Sequence, residues 1–421
     1  MGIDAHNHGM AGRKRKAITE KEITGLKYFD KLVPLLERLH DVGCERDKAA
    51  NRQLHFDQYC LLLLLAMFNP IARSMRALQQ ASGLRKVQRK LGVQRFSLGS
   101  LSEATGVFDP EKLREIVVEM GEDLQPVARD PRLKDVRHAV TLVDGSLLKG
   151  LPVLMQEALE DSRGAKTRGK CRWHTQFDLE RWVPVRIDVT EGVAKGESDE
   201  RAVLARALEK GHCYVDDRGY EKFTLFNAIV SAGSSYVCRL RDNSAYRVIE
   251  ERALCQEDRD AAVVLDAIVE FGDASKADSR PNHPIRLVAV KTTPHPKRGK
   301  TGGGSAGPAS SGLLLIATNL LDLPAWIIAL LYRYRWTIEI FFRFLKHILG
   351  CRHLYSHDTA GIQIQAYCAI IACMLISLWT GRKPTQRTYE MICYYFLGLA
   401  EEDELLAHLA KLQRHEESQK H

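Results

Sequence analysis

Short apolar runs alternate with helical segments through the middle of the chain, and this order constrains the fold more than any other feature. Ala139–Val143 is rich in β-branched residues, and Cys213–Val215 is a second short apolar run. Between them, residues 171–190 alternate as a strand does, and residues 199–210 suit a helix that Gly211 ends. Strands interleaved with helices in this way predict a mixed α/β fold.

Changes in composition divide the chain into six predicted segments. Residues 1–17 form a basic arm that we expect to be flexible, and residues 18–135 form a helical N-terminal domain. The remaining segments are the first half of the α/β core (136–240), a β-rich insertion that ends in a basic, Pro/Gly/Ser-rich linker (241–312), the second half of the core (313–380) and a helical C-terminal tail (381–421).

The N-terminal domain carries several helix signals. One helix is predicted over residues 55–68, Ser100–Glu103 fits a capping box, and Asp109-Pro110 predicts the start of a further helix. The segment from Arg73 to Gln88 is similar to a helix-turn-helix element. This domain is therefore either a DNA-binding module or a plain helical bundle.

Composition limits the partners and the compartment. The chain has 421 residues, of which 27% are charged and 45% hydrophobic, with a formal net charge of +8. A basic surplus of this size permits binding to nucleic acid without requiring it. Ten cysteines without a CxxC motif predict buried free thiols in a reducing cytosol. The apolar runs Leu61–Phe68 and Ala366–Trp379 are shorter than a membrane span, so we expect core helices and no membrane partner.

Each of the two short apolar runs ends in acidic residues. Asp144 follows the first run in the sequence VDGS, and Asp216-Asp217 follow the second in VDDRGY. One interpretation is that these residues form ordinary turns. The other is a ligand site, because the carboxyl ends of strands in α/β sheets are where ligands collect. Carboxylate oxygens in such a place suit Mg²⁺ or Mn²⁺.

A predicted helix over residues 332–349 places Tyr332, Arg335, Glu339 and Lys346 on one side. This polar line is either a solvated face stabilised by i,i+4 ion pairs or one wall of a site. In the second interpretation Glu339 is a third carboxylate for the metal ions. Tyr332, Arg335 and Lys346 then contact phosphate groups of DNA.

The residues in and around this helix resemble those of a known family. Tyr332-x2-Arg335-x3-Glu339-x6-Lys346 matches the YREK signature of bacterial DDE transposases in the "insertion sequence four" family. The words ATNLLDLP, YRYRWTIEIFFRFLKHILG, VDGS and DDRGY, the last followed by Leu225-Phe226, also look like that family. The similarity runs from about residue 139 to residue 380.

The resemblance implies an RNase H-like catalytic core that is interrupted by a β-rich insertion. Asp144, Asp217 and Glu339 would be the catalytic residues and would hold two divalent metal ions, Mg²⁺ or alternatively Mn²⁺. Asp217 rather than Asp216 matches the family position, because it directly precedes Arg-Gly-Tyr. Tyr332, Arg335 and Lys346 would contact phosphates of the transposon ends.

The activity that the resemblance implies is cut-and-paste transposition. Metal-activated water would nick the transposon end, and the freed 3′-hydroxyl would attack the opposite strand and later the target DNA. The expected partners are double-stranded transposon ends and target DNA, bound by a dimer in a synaptic complex in the cytoplasm. Two alternatives remain: a nuclease of the same fold that does not join strands, and an inactive derivative that only binds DNA.

Two further features have open interpretations. His174 is either a structural histidine of a strand near the core or a neighbour of the site. Lys166, Arg168, Lys170 and Arg172 form a basic cluster that is either a solvated loop or a phosphate-binding segment.

Overall fold

In the computed structural model of the protein, most residues of the chain are described. These are residues 27–42, 52–69, 71–72, 74–126, 130–149, 170–191, 196–242, 244–271, 280–292, 312–348, 355–356 and 358–418. The predicted basic arm (1–17) and nearly all of the predicted linker (293–312) lie outside them.

Helices form both ends of the described chain and cover parts of its middle. Six precede the sheet: α1 (Lys27–Glu37), α2 (Phe56–Met67), α3 (Met75–Ser82), α4 (Arg85–Leu91), α5 (Leu98–Val107) and α6 (Glu111–Asp123). Three lie between strands: α7 (Glu200–Arg206), α8 (Phe223–Ser231) and α9 (Gln256–Asp260). Five follow the sheet: α10 (Ala325–Tyr334), α11 (Trp336–Ile348), α12 (Thr359–Thr380), α13 (Gln386–Leu397) and α14 (Glu402–Ser418).

A single mixed sheet runs through the described part of the chain. Its strands are β1 (Ala139–Lys149), β2 (Lys170–Asp178), β3 (Val183–Glu191), β4 (His212–Asp216), β5 (Ser235–Arg239), β6 (Tyr246–Glu251), β7 (Val263–Phe271), β8 (Ile285–Lys291) and β9 (Leu313–Thr318). The order across the sheet is β3-β2-β1-β4-β5-β9-β8-β7-β6. Strand β4 pairs in parallel with both β1 and β5, and the other pairs are antiparallel. The predicted mixed α/β fold is confirmed.

The strands of the predicted insertion extend the same sheet. β8 pairs with β9, β7 with β8, and β6 with β7, so β6 is the outer edge. Strand β9 is the continuous apolar run Leu313–Thr318, which is typical of a strand covered on both faces.

The N-terminal helices named below lie where the sequence predicts them, but the N-cap of one helix differs from the prediction. Helix α2 lies within the predicted span of 55–68, and α6 begins directly after Asp109-Pro110. The capping box predicted at Ser100 is wrong, because α5 starts one turn earlier. The hydroxyl of Ser97 accepts a hydrogen bond from the backbone N–H of Ser100. Helices α3 and α4 are joined by the two residues Gly83 and Leu84.

Helix α12 forms the centre of the larger hydrophobic core. It contacts β3, α6, α2 and α5, and nearly all of its side chains are buried. The apolar run Ala366–Trp379 is shorter than a membrane span, but the helix that contains it has 22 residues. By length and composition alone, that helix could cross a membrane. Within the described chain it is the one such helix, and 89% of its most apolar window is buried in the protein. It is the buried core helix that the sequence predicted.

Candidate active site

Parallel pairing of β1 with β4 brings the two predicted aspartates to the same end of the sheet. The ladder runs from Ala139 opposite His212 to Leu142 opposite Val215. Asp144 and Asp217 each lie two residues beyond the last pair, so they continue the same register where the two strands diverge. The fold therefore places the two carboxylates side by side at the carboxyl ends of neighbouring strands.

Alternation along the strands decides which aspartate of the second pair faces the site. Leu142 and Val215 belong to the larger core, and residues two positions further along face the same way. Asp217 therefore lies on the same face as Asp144. Asp216 lies on the opposite face, where Tyr214 belongs to the second core. It is fully buried, and burial raises the pKa of its carboxyl well above the usual range.

Helices α10 and α11 bring the third predicted carboxylate to this face. The sequence predicted one continuous helix here, which is wrong, because the helix is interrupted at Arg335. Hydrogen bonds from Arg335 N to Tyr332 O (3.0 Å) and from Ile338 N to Arg335 O (3.2 Å) span three residues instead of four. This tighter turn separates α10 from α11.

The polar line of this helix pair is not a solvated face. The side chains of Tyr332 and Arg335 are buried, and that of Glu339 is half-buried. The Tyr332 hydroxyl donates to Asp217 Oδ1 at 3.3 Å. Arg335 Nη2 donates to Glu339 Oε1 at 2.9 Å, and its Nη1 lies 3.6 Å from Asp144 Oδ2. One guanidinium thus contacts carboxylates from the strand and from the helix.

The pKa of Asp144 reflects this crowding of acidic groups. Its pKa is raised to about 6, chiefly by burial and also by the nearby carboxylates of Glu339 and Asp217. The Arg335 guanidinium and a 2.8 Å hydrogen bond from Gly145 N act in the opposite direction. Negative charge is therefore concentrated at the site, and a cation there would favour the ionised carboxylate.

The carboxylates of Asp144, Asp217 and Glu339 are suitable ligands for divalent cations, although they do not lie close together. Among the described residues, the ligating oxygens of Asp144, Asp217 and Glu339 do not all lie within 4.8 Å of one another. Arg335 is the cation that contacts two of the three. All three offer carboxylate oxygens, the ligand type that Mg²⁺ and Mn²⁺ prefer. These residues could hold such ions if the guanidinium turned away.

Sequence reasoning missed two charged residues beside the site. Arg239 ends β5, and its Nη1 lies 4.0 Å from Asp217 Oδ1. Glu200, at the start of α7, pairs with Arg172 and lies so close to Gly145 that an added Cβ would be 2.5 Å from its Oε1. The signal for Arg239 was its place at the end of the strand beside β4. No local pattern marks Glu200.

The other predicted site residues have different outcomes. Lys346 lies on α11, but its side chain is outside the described residues. The same is true of the side chains of Lys166, Arg168 and Lys170 in the basic cluster. Arg172 of that cluster forms the ion pair with Glu200. His174 is buried opposite Gly145, so it faces away from Asp144, and its Nε2 lies 2.8 Å from Thr190 Oγ1.

Comparison with known proteins identifies the family. Residues 136–375, more than half of the chain, match the family model described as "Transposase DDE domain". The chain is 28% identical over 218 residues to y4zB of Sinorhizobium fredii, which is named as a transposase; the match covers 51% of this chain and 55% of that protein. It is 23% identical over 211 residues to a Geobacillus stearothermophilus protein named as a transposase for insertion sequence element IS5377, covering 50% and 49%.

The chain thus spans about half the length of the curated relatives that it matches. A cryo-EM structure of a piggyBac transposase synaptic complex with hairpin DNA covers 94% of this chain and 80% of its own, with 10% identity and a TM-score of 0.38. A score that low does not establish a shared fold. The family match over residues 136–375 does establish the relationship, and the chain belongs to the family of transposases with a DDE domain.

Proposed function

We propose that the protein cleaves DNA at the terminal inverted repeats of an insertion sequence and joins the freed strands to a target, by cut-and-paste transposition. The observation that carries the proposal is the arrangement of Asp144, Asp217 and Glu339 on one face of the sheet around Arg335. The family supports DNA cleavage and strand transfer as the type of reaction, and members of it use divalent metal ions. We assign the chain to the "insertion sequence four" group with the YREK signature.

The catalytic core in this proposal is RNase H-like. Its strands are β3, β2, β1, β4 and β5, of which β2 runs antiparallel to the other four. The strands β6 to β8 then belong to the insertion between Asp217 and Glu339. This insertion accounts for the long stretch of sequence between Asp217 and Glu339, which belong to one site in the proposal.

Asp144, Asp217 and Glu339 would hold two Mg²⁺ or Mn²⁺ ions, with their carboxylate oxygens as ligands. When bound, such ions supply an activated nucleophilic oxygen and charge stabilisation for the leaving oxygen of a phosphodiester. The hydrogen bond from Gly145 N holds Asp144, and that from Tyr332 holds Asp217. Both bonds keep the carboxylates oriented towards the face that α11 covers.

Arg335 has two successive roles in this scheme. Before metals bind, its guanidinium offsets the repulsion between Asp144 and Glu339. With divalent ions held by the carboxylates, the guanidinium would be free to bind a phosphate of the transposon end through two parallel hydrogen bonds. Tyr332 and Lys346 supply further phosphate contacts, and the DNA ends are held by a dimer in a cytoplasmic synaptic complex.

Strand joining distinguishes the proposal from the alternatives. The genomic DNA that flanks the coding sequence on both sides, cloned with the gene removed, serves as the labelled substrate with Mg²⁺ and a plasmid target. A transposase produces joined products in which labelled ends are covalently attached to the plasmid. Cleavage without joining would instead show the nuclease of the same fold, and binding without cleavage would show an inactive derivative.

The neighbouring aspartates Asp216 and Asp217 provide a matched pair of variants. We expect Asp217→Asn to reduce cleavage by about 10³-fold, because it removes a charged ligand from the site. Asp216→Asn should retain cleavage within about tenfold, since its carboxyl is buried on the opposite face, away from Asp144. Single-turnover cleavage of the flanking DNA measures both. Equal losses in the two variants would contradict the assignment of Asp217.

The phosphate contact of Arg335 is measurable as a salt dependence. We expect Arg335→Gln to weaken binding of the flanking DNA and to reduce the slope of log affinity against log salt by about 1. Arg387→Gln, at an exposed arginine of α13, is the control and should leave the slope unchanged. Fluorescence anisotropy at salt concentrations from about 50 to about 200 mM gives the slopes of both variants. An unchanged slope for Arg335→Gln would exclude the contact.

A further inference from the structure

Two histidines and an aspartate lie together outside the candidate active site. His40 and Asp41 follow α1, and His55 directly precedes α2. One ligating atom of each lies within 4.8 Å of the others, and no other set of three His, Cys, Asp or Glu side chains among the described residues meets this distance. Two imidazoles with one carboxylate form a donor set for a divalent transition metal, whereas Mg²⁺ requires oxygen ligands.

The hydrogen bonds of the two rings leave the same nitrogen available on each. Nδ1 of His55 lies 2.9 Å from the backbone carbonyl oxygen of His40, which can only accept, so this Nδ1 is the donor. Nδ1 of His40 lies 3.0 Å and 3.1 Å from the two carboxylate oxygens of Asp57 and donates in the same way. Each Nε2 therefore keeps a lone pair that can bind a metal.

The partners behind the rings are those that support metal-bound histidines. A carboxylate or carbonyl that accepts from the second ring nitrogen fixes the tautomer and makes the free nitrogen a better ligand. Asp57 is buried in α2 and is thereby held in place, whereas Asp41 is exposed and the two histidines are half-buried. The supporting carboxylate is rigid, and the ligand side of the cluster is open to solvent.

We propose that His40, His55 and Asp41 form a zinc site, with Asp57 as the positioning residue of His40 and water as the fourth ligand. The rings now stack with centroids 3.6 Å apart and planes 11° from parallel. Because a bound metal lies in the plane of each imidazole, zinc binding tilts the rings out of this stack. The ion joins the end of α1 to the start of α2 and stabilises the N-terminal helices, separately from the metal ions of the candidate active site.

Isothermal titration of the full chain with ZnCl₂ tests the site. The titration uses an Asp144→Asn, Glu339→Gln background, which removes two carboxylates of the candidate active site. We expect one zinc ion to bind per chain in this background. His40→Gln or His55→Gln should weaken binding by about tenfold or more, and Asp57→Asn by about 10- to 100-fold through loss of the positioning bond. Zinc should also raise the melting temperature of the background protein, but not that of the His40→Gln variant.

The controls separate this site from other histidines and from misfolding. His408→Gln changes a half-buried histidine whose Nε2 lies 3.4 Å from Thr388 Oγ1, and it should leave zinc binding unchanged. His40 is half-buried and follows α1, so His40→Gln should keep the circular dichroism spectrum even where His55→Gln, at the residue that directly precedes α2, does not. The proposal is overturned if the background protein binds no zinc, or if His40→Gln binds it as tightly as the background.

Discussion

Replacing Glu339 with glutamine should reduce DNA cleavage by about 10³-fold or more, equal to roughly 4 kcal/mol of transition-state stabilisation. Glutamine has almost the same shape but no charge, so it removes the proposed metal ligand and leaves the packing of α11 intact. The half-buried side chain forms one hydrogen bond, from Arg335, which the amide oxygen can still accept. Asp144→Asn should have an effect of the same size. Cleavage of the labelled flanking DNA in Mg²⁺ measures both.

An exposed glutamate on α5 provides the control for this loss. Glu103→Gln removes the same charge from an exposed position of a helix that contributes no residue to the candidate active site, and it should leave cleavage within about twofold. Circular dichroism and the melting temperature should be unchanged in all three variants. If Glu339→Gln cleaves as well as Glu103→Gln, Glu339 does not hold a catalytic metal ion, and the proposed site is wrong.

The largest effect on stability is expected at the ion pair between Asp266 and Arg286. Both side chains are buried, and Arg286 Nε and Nη2 each donate to Asp266 at 2.7 Å. Arg286 Nη1 also donates to the backbone oxygen of Leu320 at 3.0 Å, which links β8 to the loop before α10. Asp266→Ala leaves a buried guanidinium without its counter-charge, so we expect a loss of about 3–5 kcal/mol in the free energy of unfolding. Thermal denaturation should show a fall in melting temperature of about 3–6 °C.

An exposed ion pair of the same sheet is the comparison for this prediction. Arg247 on β6 and Glu270 on β7 pair across neighbouring strands, and both side chains are largely exposed. Glu270→Ala should cost about 0–1 kcal/mol, because solvent screens exposed charges. A similar fall in melting temperature for both variants would show that the buried pair has no special role in joining the insertion to the core.

The sequence predicted the parts of the site that depend on local pattern. Asp144 and Asp217 are predicted site residues because each follows a short apolar strand, and the structure places them at the same edge of the sheet. Glu339 is predicted from helical spacing and from the resemblance to the family. The preference for Asp217 over Asp216 agrees with strand alternation, which places Asp216 on the opposite face.

Features that depend on tertiary packing could not be predicted in this way. The interruption at Arg335 has no proline or glycine beside it, so no residue in YRYRWT marks the break. Ser97 and Ser100 are both suitable caps, and only the packed structure decides between them. The Asp266–Arg286 pair depends on the register of β7 with β8, which contains an irregularity between Val263 and Leu265.

The most direct test of the central claim is the position of Mn²⁺ in crystals of the full chain bound to its flanking DNA ends. Anomalous scattering from manganese locates the ions independently of activity. The account predicts manganese peaks in contact with the carboxylates of Asp144, Asp217 and Glu339, with the Arg335 guanidinium turned away from them towards a DNA phosphate. Manganese bound elsewhere, or a guanidinium still paired with Asp144 and Glu339 in the complex, would contradict it.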